Sequence, residues 1–413
     1  MPPEASNTPI RILTFSTLFP NAERPNHGIF VETRLRQLVE GGRVTARVIA
    51  PVPWFPSGNP RFGRYAGFAR VPRAEERYGI AVRHPRYPLL PKIGMALAPI
   101  LLARAVKPVL QRMICEGDDF DLIDAHYFYP DGVAAMMLGR SLNKPVVITA
   151  RGTDLNLLPQ FRLPRKMIQW AARHAAGLIT VSAALKEVLA GLGIPAGRID
   201  VLRNGIDLKL FAPVDRAERR AALGLNGRTL LSVGNLVPLK GHDLTIRALA
   251  SMPDVGLLIA GEGPEGENLR ALAVEAGVAS RVRFLGTLSQ IQLRDYYGAV
   301  DALVLASSRE GWANVLLESM ACGTPVIATR VGGTPEVVAA PEAGVLVAER
   351  TSQALALAAL RLFENYPDRA ATRRYAERFD WDATTQGQVQ LFERVIAERG
   401  LARESRPRPA VQP

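Results

Sequence analysis

Apolar and polar residues follow two different periods along this chain. Short apolar runs such as residues 10–16 and 44–51 are bounded by turn residues, which is typical of strands buried in a parallel sheet. Longer segments such as residues 29–40 repeat apolar residues every three or four positions, which predicts amphipathic helices. Strand, helix and strand in this order predict a βαβ unit with parallel strands and a right-handed crossover.

The same alternation continues along the chain and predicts two doubly wound α/β domains. Further strands are predicted at residues 120–125, 146–150, 178–181, 199–202, 229–233, 255–260, 281–285, 302–306 and 326–328. Further helices are predicted at residues 95–115, 242–250, 314–321 and 381–399. Residues 51–91, rich in proline, glycine, arginine and aromatics, predict a long, irregular and partly ordered insertion. The polar, Pro- and Arg-rich residues 401–413 predict a disordered tail.

The composition is that of an ordinary globular protein. Hydrophobic residues make up 48% of the 413, which is enough for two domains with a core each. Cys115 and Cys322 lie far apart, and the five histidines do not cluster at metal-ligand spacing, so we expect neither a disulfide framework nor a metal site. We also expect a cytoplasmic setting, because the first residues lack the basic and then apolar form of a signal peptide.

The positive charge is concentrated in the N-terminal half. Residues 1–205 hold 27 lysines and arginines against 15 acidic residues, an excess of 12 that equals the net charge of the whole chain. Such an excess favours an anionic partner, such as a membrane surface, a lipid pyrophosphate or an acidic glycan. The alternative is an arginine-rich solvated surface. Nucleic acid is not expected, because no recognition motif accompanies the charge. The amphipathic segment 95–115 has the same two interpretations, a membrane-surface helix or a helix packed on the sheet.

The most informative stretch is residues 304–330, which predicts strand, loop, helix, loop and strand. Glu310 lies in the first loop, and Glu318 lies about two turns into the helix. Their spacing alone is uninformative, because other glutamate pairs of this chain share it and pairs of this kind are commonly solvated. This pair is distinguished by spanning a strand-to-helix turn with Gly311 directly after the first carboxylate. Ligands of α/β sheets bind at such strand ends, and the helix N-terminus is a ready site for phosphate.

Two residues of the first half occupy similar positions. Gly28 opens the helix 29–40 and would let a ligand phosphate approach the backbone, although a loop often needs one glycine for its own geometry. His126 follows the strand 120–125. A lone histidine is usually structural, but a strand end directs this one toward the crevice.

The residues REGWANVLLESMACGTPVIA and the following VGGTPEVV resemble the signature of the family 4 retaining glycosyltransferases. The resemblance extends over about residues 8–398, through NHGIFVE, DAH, ARGTD, RNGID, VGN…LKG and GEGP. It implies the GT-B fold, two Rossmann-like domains that face one another across a cleft. It also implies a retaining, metal-independent reaction without a cofactor.

The resemblance assigns a role to each part of the chain. Residues 1–205 would bind the acceptor, residues 206–380 would bind the nucleotide-sugar, and the helix 381–400 would cross back to the first domain. A UDP- or GDP-sugar is the expected donor, and a glycan or lipid-linked molecule is the expected acceptor. The expected function is sugar transfer in surface polysaccharide (exopolysaccharide) or glycolipid synthesis, on the inner membrane face as a peripheral protein.

The resemblance also implies roles for single residues. Lys240 would bind the donor pyrophosphate as a point charge, Glu310 would orient the sugar, and His126 would contact the sugar from the other domain. Glu318 would accept hydrogen bonds from the ribose hydroxyls, as carboxylates do at dinucleotide sites. Further donor contacts are expected at Gly28, Asp154, Asn204, Asn235, Gly261, Gly311, Asn314, Val315 and Leu316.

The chain departs from the family pattern at two positions, because Asn235 replaces a usual arginine and Arg151 replaces a common histidine. Arg309, beside Glu310, would be one substitute for the missing cation. Two other functions stay open, a sugar-nucleotide epimerase of the same fold and a non-enzymatic protein that binds membranes or polyanions.

Overall fold

The computed structural model of the chain describes residues 8–89 and 94–404. Their contacts divide the chain into two compact units. The first unit runs to Arg203 and resumes at Asp382, and the second unit is Asn204–Trp381.

The first unit is built from parallel strands with helices between them. Its strands are β1 (Ile10–Phe15), β2 (Val44–Ile49), β3 (Val52–Pro53), β4 (Ala74–Arg77), β5 (Ile80–Arg83), β6 (Arg86–Tyr87), β7 (Leu122–His126), β8 (Val146–Ala150), β9 (Gly177–Thr180) and β10 (Ile199–Val201). Its helices up to Arg203 are α1 (Ile29–Glu40), α2 (Arg64–Arg70), α3 (Gly94–Cys115), α4 (Val133–Leu142), α5 (Thr153–Asn156), α6 (Arg162–His174) and α7 (Ala183–Gly191).

Among the described residues, these strands form one eight-stranded sheet in the order β10-β9-β8-β7-β1-β2-β5-β4, and β3 pairs with β6 separately. All neighbours are parallel except β4 and β5. The prediction of an irregular insertion at residues 51–91 was therefore wrong in part. The insertion carries α2 and the β4–β5 hairpin, which extends the edge of the sheet; residues 90 and 91 lie outside the described residues.

The second unit repeats this architecture. Its strands are β11 (Arg228–Val233), β12 (Val255–Ala260), β13 (Val282–Gly286), β14 (Ala302–Leu305), β15 (Val326–Thr329) and β16 (Gly344–Val347). Its helices are α8 (Arg216–Leu223), α9 (His242–Ala248), α10 (Gly266–Glu275), α11 (Gln290–Ala299), α12 (Asn314–Ala321), α13 (Thr334–Val337), α14 (Ser352–Glu364) and α15 (Arg369–Ala376). The strands pair in parallel in the order β13-β12-β11-β14-β15-β16.

The last helix, α16 (Asp382–Glu404), belongs to the first unit. Its apolar face joins the core of that unit, where Leu391, Phe392 and Val395 are buried beside residues of β1, β2 and α1. The helix also supplies a buried polar side chain, because Gln388 is 1% exposed. Of the predicted disordered tail, residues 401–404 are helical and residues 405–413 lie outside the described residues.

Candidate active site

The order of the strands fixes where each unit can hold a ligand. In the first sheet the chain starts at β1, continues to β2 on one side and later to β7 on the other. In the second sheet β11 is flanked in the same way by β12 and β14. At such a switch point the loops after two neighbouring parallel strands separate and leave a crevice outside their carboxyl ends. Each predicted catalytic residue lies at one of these two points.

The second switch point carries the pair that the sequence singles out. Lys240 ends the short 3-10 turn after β11, and Glu310 lies in the loop after β14. The Lys240 Nζ atom donates to Glu310 Oε1 over 2.7 Å, and the buried Ser307 hydroxyl donates to the same oxygen over 2.6 Å. The two ionic side chains are 24% and 12% exposed. They are shielded enough for a strong charge interaction and open enough for a ligand to reach.

The loops around this pair approach one another closely. Gly261, directly after β12, has φ +141°, and a Cβ atom there would lie 2.0 Å from the carbonyl oxygen of Gly234. This position therefore admits only glycine. Asn235 follows Gly234; its side chain is exposed, while its carbonyl oxygen lies 3.3 Å from His242 Nε2. The donor contacts expected at Gly261 and Asn235 stay predictions.

The N-terminus of α12 faces the same loop. Ala313 occupies the N-cap position and has no side-chain oxygen to cap the first N–H groups. The N–H group of Leu316 donates to the Ala313 carbonyl, and the Leu316 side chain is buried, so a backbone contact with an anion falls to Asn314 and Val315. Gly311, in the preceding loop, is buried. These N–H groups and the positive end of the helix dipole favour a phosphate at this point.

Asn204 is tied to this loop within the second unit. Its carbonyl oxygen accepts from Trp312 Nε1 over 3.1 Å, and its side-chain amide donates to Asn314 Oδ1 over 3.2 Å. The residue is 4% exposed. In this structure Asn204 therefore supports the start of α12, and its expected contact with the donor stays a prediction.

Glu318 lies farther along α12, where it is half-buried. Its Oε2 atom accepts a hydrogen bond of 2.8 Å from the hydroxyl of Tyr297, which is fully buried. Burial raises the pKa of Glu318 to about 7, although the Tyr297 hydroxyl favours the ionised form. The carboxyl group therefore changes its charge near neutral pH.

At the first switch point, His126 ends β7, because its pairing with Thr149 continues the ladder by one residue beyond the predicted strand. The ring is 1% exposed. Burial lowers the pKa of His126 to about 4 despite the nearby Asp124 carboxylate, so the ring is neutral. Arg151 Nη2 lies 2.6 Å from Nδ1, and Asp124 Oδ2 lies 3.1 Å from Nε2. Since arginine can only donate, Nδ1 accepts and Nε2 carries the proton.

The sequence analysis expected His126 to contact a sugar. In this structure, however, both nitrogens of its ring already have partners inside the first unit. The Asp124 partner of His126 is itself held by further polar contacts. Gln388 of α16 donates a hydrogen bond to Asp124 and accepts one from Arg34 Nε over 2.8 Å. Arg34 is 1% exposed, and burial lowers its pKa to about 10. The role of His126 as a sugar contact stays a prediction that requires the ring to leave these partners.

Asp154 also has an internal role. It is fully buried, and its carboxylate accepts from the backbone N–H groups of Phe128, Arg151 and Gly152 over 2.7 to 3.2 Å. These bonds hold the loops after β7 and β8 together. Gly28, likewise, has φ +70° and leaves no room for a Cβ atom beside the Leu18 carbonyl oxygen, which explains this glycine by loop geometry. Donor contacts at both residues stay predictions.

Several side chains that shape the two sites were not predicted from the sequence. They are Ser307 and Tyr297 in the second unit and Asp124, Asp131, Arg34 and Gln388 in the first. Of these, Ser307 carried a usable signal as a polar residue directly after an apolar strand run, and Asp124 carried one as a carboxylate inside the apolar strand β7. The others lie far along the chain from the residues that they contact. None of the described His, Cys, Asp and Glu side chains forms a group of three that could hold a metal ion.

Two doubly wound units, each with predicted catalytic residues at the switch point of its sheet, have the architecture of the GT-B class. Two family models match the chain. "Glycosyltransferase Family 4" matches residues 64–210, and "Glycosyl transferases group 1" matches residues 215–379. The chain belongs to the family 4 glycosyltransferases of GT-B fold.

Known relatives agree with this family. A D-inositol 3-phosphate glycosyltransferase of Mycolicibacterium gilvum is 41% identical over 213 residues, which are 49% of this chain and 48% of that protein. The chain thus spans about half the length of the curated relatives it matches.

Among solved structures, sucrose-phosphate synthase from Thermosynechococcus elongatus has a TM-score of 0.77 at 23% identity and covers 95% of this chain and 100% of its own. Anabaena HepE in complex with UDP-glucose has a TM-score of 0.69 at 22% identity, and the match covers 95% of this chain and 99% of the HepE chain. At these identities the likeness shows the fold. No helix formed by residues 8–89 and 94–404 is long and apolar enough to cross a membrane.

The loop after β1 provides a test of the electrostatics in the first unit. Asp131 is fully buried and accepts from the Thr17 N–H group over 2.8 Å. Burial and the nearby Asp154 raise its pKa to about 7, although the bonds from Thr17 favour the ionised form. The unfolded chain therefore loses this proton near pH 4 and the folded chain only near pH 7, so the wild type loses stability as the pH rises between these values.

We expect Asp131→Asn to remove this loss. Between pH 5 and pH 8, the free energy of unfolding of Asp131→Asn should rise by about 3 kcal/mol relative to that of the wild type, as measured by urea denaturation of the full chain. Glu116→Gln, which changes an exposed carboxylate, is the control and should follow the wild type. Parallel pH profiles for Asp131→Asn and the wild type would contradict the assignment.

Proposed function

We propose that this protein transfers a sugar from a nucleotide-sugar to a glycan or lipid-linked acceptor, with retention of the anomeric configuration and without a bound metal. The observation that carries the proposal is the contact of Lys240 with Glu310 at the switch point of the second unit. A cation, a carboxylate and an uncapped helix N-terminus lie there, in the loops at the carboxyl ends of neighbouring strands. These are the groups that a diphosphate and a sugar require.

Each group has a distinct part in the proposed reaction. As the bond between the anomeric carbon and the diphosphate oxygen breaks, negative charge grows on the diphosphate and positive charge grows on the sugar ring. Lys240 and the N–H groups at the start of α12 stabilise the diphosphate, which is the work a metal does in other transferases. Glu310 orients the sugar hydroxyls and stabilises the positive ring, and Ser307 fixes the rotamer of Glu310.

Lys240 has to change its partner when the donor binds. In this structure its ammonium group is neutralised by Glu310. A diphosphate carries more negative charge than one carboxylate, so it draws the flexible lysine side chain toward itself. Glu310, released from the lysine, becomes available to the sugar hydroxyls, and donor binding thereby completes the site.

For the donor we propose a UDP- or GDP-sugar. HepE, one of the proteins of the same fold, was solved with UDP-glucose. Glu318 supplies a carboxylate for the ribose diol. For the acceptor we propose a sugar chain or lipid of surface polysaccharide or glycolipid synthesis. The M. gilvum relative is named for a phosphorylated acceptor, and the positive N-terminal half of this chain suits an acceptor that carries phosphate.

We also propose that the first unit binds an anionic membrane surface. At the start of α6, Phe161 and Leu163 are 44% and 45% exposed and alternate with the exposed Arg162, Arg165 and Lys166. Exposed apolar side chains among basic residues are typical of interfacial helices. The site would thereby be brought to lipid-linked acceptors.

The first test of the proposal measures turnover after substitution of Lys240 or Glu310. We expect Lys240→Ala and Glu310→Gln each to lower kcat at least about 100-fold, because each removes a charge that acts on the transition state. Release of nucleoside diphosphate from candidate donors, with membrane extract as acceptor, is the measurement. Lys209→Ala and Glu349→Gln change exposed residues of the same unit and should stay active.

Near-normal turnover of both site variants would reject the assignment of these residues. No turnover by the wild type with any common nucleotide-sugar would reject the activity itself. Conversion of the donor without an acceptor, seen as a new sugar epimer, would identify an epimerase instead.

The second test uses the pH dependence of donor binding. The ionised Glu318 accepts from two ribose hydroxyls, while the protonated form cannot accept from both in the same way. Because the pKa of Glu318 is about 7, we expect the KM for the donor to fall about tenfold from pH 6 to pH 8. Glu318→Gln should have a high KM that does not follow this curve. An identical pH profile in both proteins would show that another group controls binding.

The third test concerns the membrane surface. Replacing Arg162, Arg165 and Lys166 by glutamine should weaken co-sedimentation with vesicles that contain about 30% anionic lipid by roughly 100-fold, because each charge near the surface contributes about 1 kcal/mol. Binding of the wild type should fall with rising salt. Arg361, Arg374 and Lys209, exposed in the second unit, provide the matched triple control. Equal binding by both triple variants would remove α6 from the proposal.

A further inference from the structure

The side chain of Arg350 lies between the two loops that carry Lys240 and Glu310. Arg350 follows β16 and precedes α14, so it is distant in sequence from both loops. Its Nε atom donates to the Ala306 carbonyl oxygen over 2.8 Å, and its Nη2 atom donates to the Pro238 carbonyl oxygen over 3.3 Å. Ala306 directly follows β14, and Pro238 begins the turn that ends at Lys240. One guanidinium group thus joins the bases of both loops.

A second observation shows that the chain makes room for this contact. Gly241, directly after Lys240, has φ +68°. A Cβ atom there would lie 2.2 Å from the Ala306 carbonyl oxygen and 2.9 Å from Arg350 Nη2. The absence of a side chain at position 241 therefore lets the Lys240 loop, the end of β14 and the guanidinium group meet at one point.

Other contacts between the two loops depend on the same spacing. The Ser308 N–H group donates to the Leu239 carbonyl oxygen over 2.9 Å, and Lys240 reaches Glu310 over 2.7 Å. The contact of Lys240 depends on a flexible four-carbon side chain. The planar guanidinium group, by contrast, fixes the directions of its two donated bonds.

We propose that Arg350 is a positioning residue, which sets the distance between the diphosphate-binding lysine and the sugar-binding glutamate without touching the substrate. This inference rests on the roles proposed above for Lys240 and Glu310. A displacement of about 1 Å between groups that act on one substrate can lower a rate about 100-fold, so the distance between these two loops affects the rate of the proposed reaction.

The decisive comparison is between Arg350→Gln and Arg350→Lys. Glutamine removes the charge and the fork, while lysine keeps the charge but cannot donate in two fixed in-plane directions. We expect both variants to lower kcat/KM for the donor by about 10- to 100-fold and to leave the KM for the acceptor unchanged. Arg361→Gln, at an exposed position of α14, is the matched control and should equal the wild type.

Three results of the kinetic experiment would overturn the proposal. Full activity of Arg350→Lys would show that only a positive charge is needed. An unchanged donor KM and kcat in Arg350→Gln would show that the contact is incidental. A fall in activity that parallels a loss of several degrees in the midpoint of thermal unfolding would show a general structural role.

Hydrogen exchange measures the proposed spacing without any turnover. In Arg350→Gln we expect faster exchange of amides in residues 236–242 and 306–312 and unchanged exchange in β11 and β14, while Arg361→Gln stays at the wild-type rate. Unchanged exchange in both loops would overturn the proposal even in an active enzyme. Faster exchange in a protein whose wild type shows no sugar transfer would leave Arg350 as the residue that spaces the loops and would reject the proposed function alone.

Discussion

The arrangement of this protein depends on one constraint, the parallel direction of β11 and β14. Because neighbouring parallel strands end at the same edge, the loops after them emerge side by side although 70 residues separate Lys240 from Glu310. An antiparallel pair would have placed the two side chains at opposite edges. The ion pair, the hydrogen bond from Ser307 and the start of α12 are all consequences of this common edge.

The two units use buried polar groups in different ways. In the second unit, the charged pair of Lys240 and Glu310 stays partly open to solvent. In the first unit, His126 is closed between Asp124 and Arg151, and the neutral ring results from burial and a neighbouring cation together. Burial without partners would be costly for each of these groups, so their mutual contacts are also what permits them to be buried.

The sequence predicted the regular elements well and their long-range polar contacts poorly. The bounds of α1, β12 and α12 agree with prediction, because each has a clear apolar period and turn residues at its ends. The β4–β5 hairpin was missed, since the residues AEER on an exposed sheet edge have no apolar alternation. The meeting of Lys240 with Glu310 agrees with the roles that the family resemblance implied, and the order of the strands in the second sheet explains it. No local pattern, however, announces that Gln388 contacts Arg34 across 354 positions.

The membership of α16 in the first unit has a consequence for how the chain is completed during synthesis. Residues 204–381 leave the ribosome as one uninterrupted block and can close their own core as soon as that block has emerged. The core of the first unit is incomplete until α16 has been synthesised, because Phe392 and its neighbours in that helix are part of this core. The core of the half that is translated first therefore becomes complete only after the second unit has been synthesised.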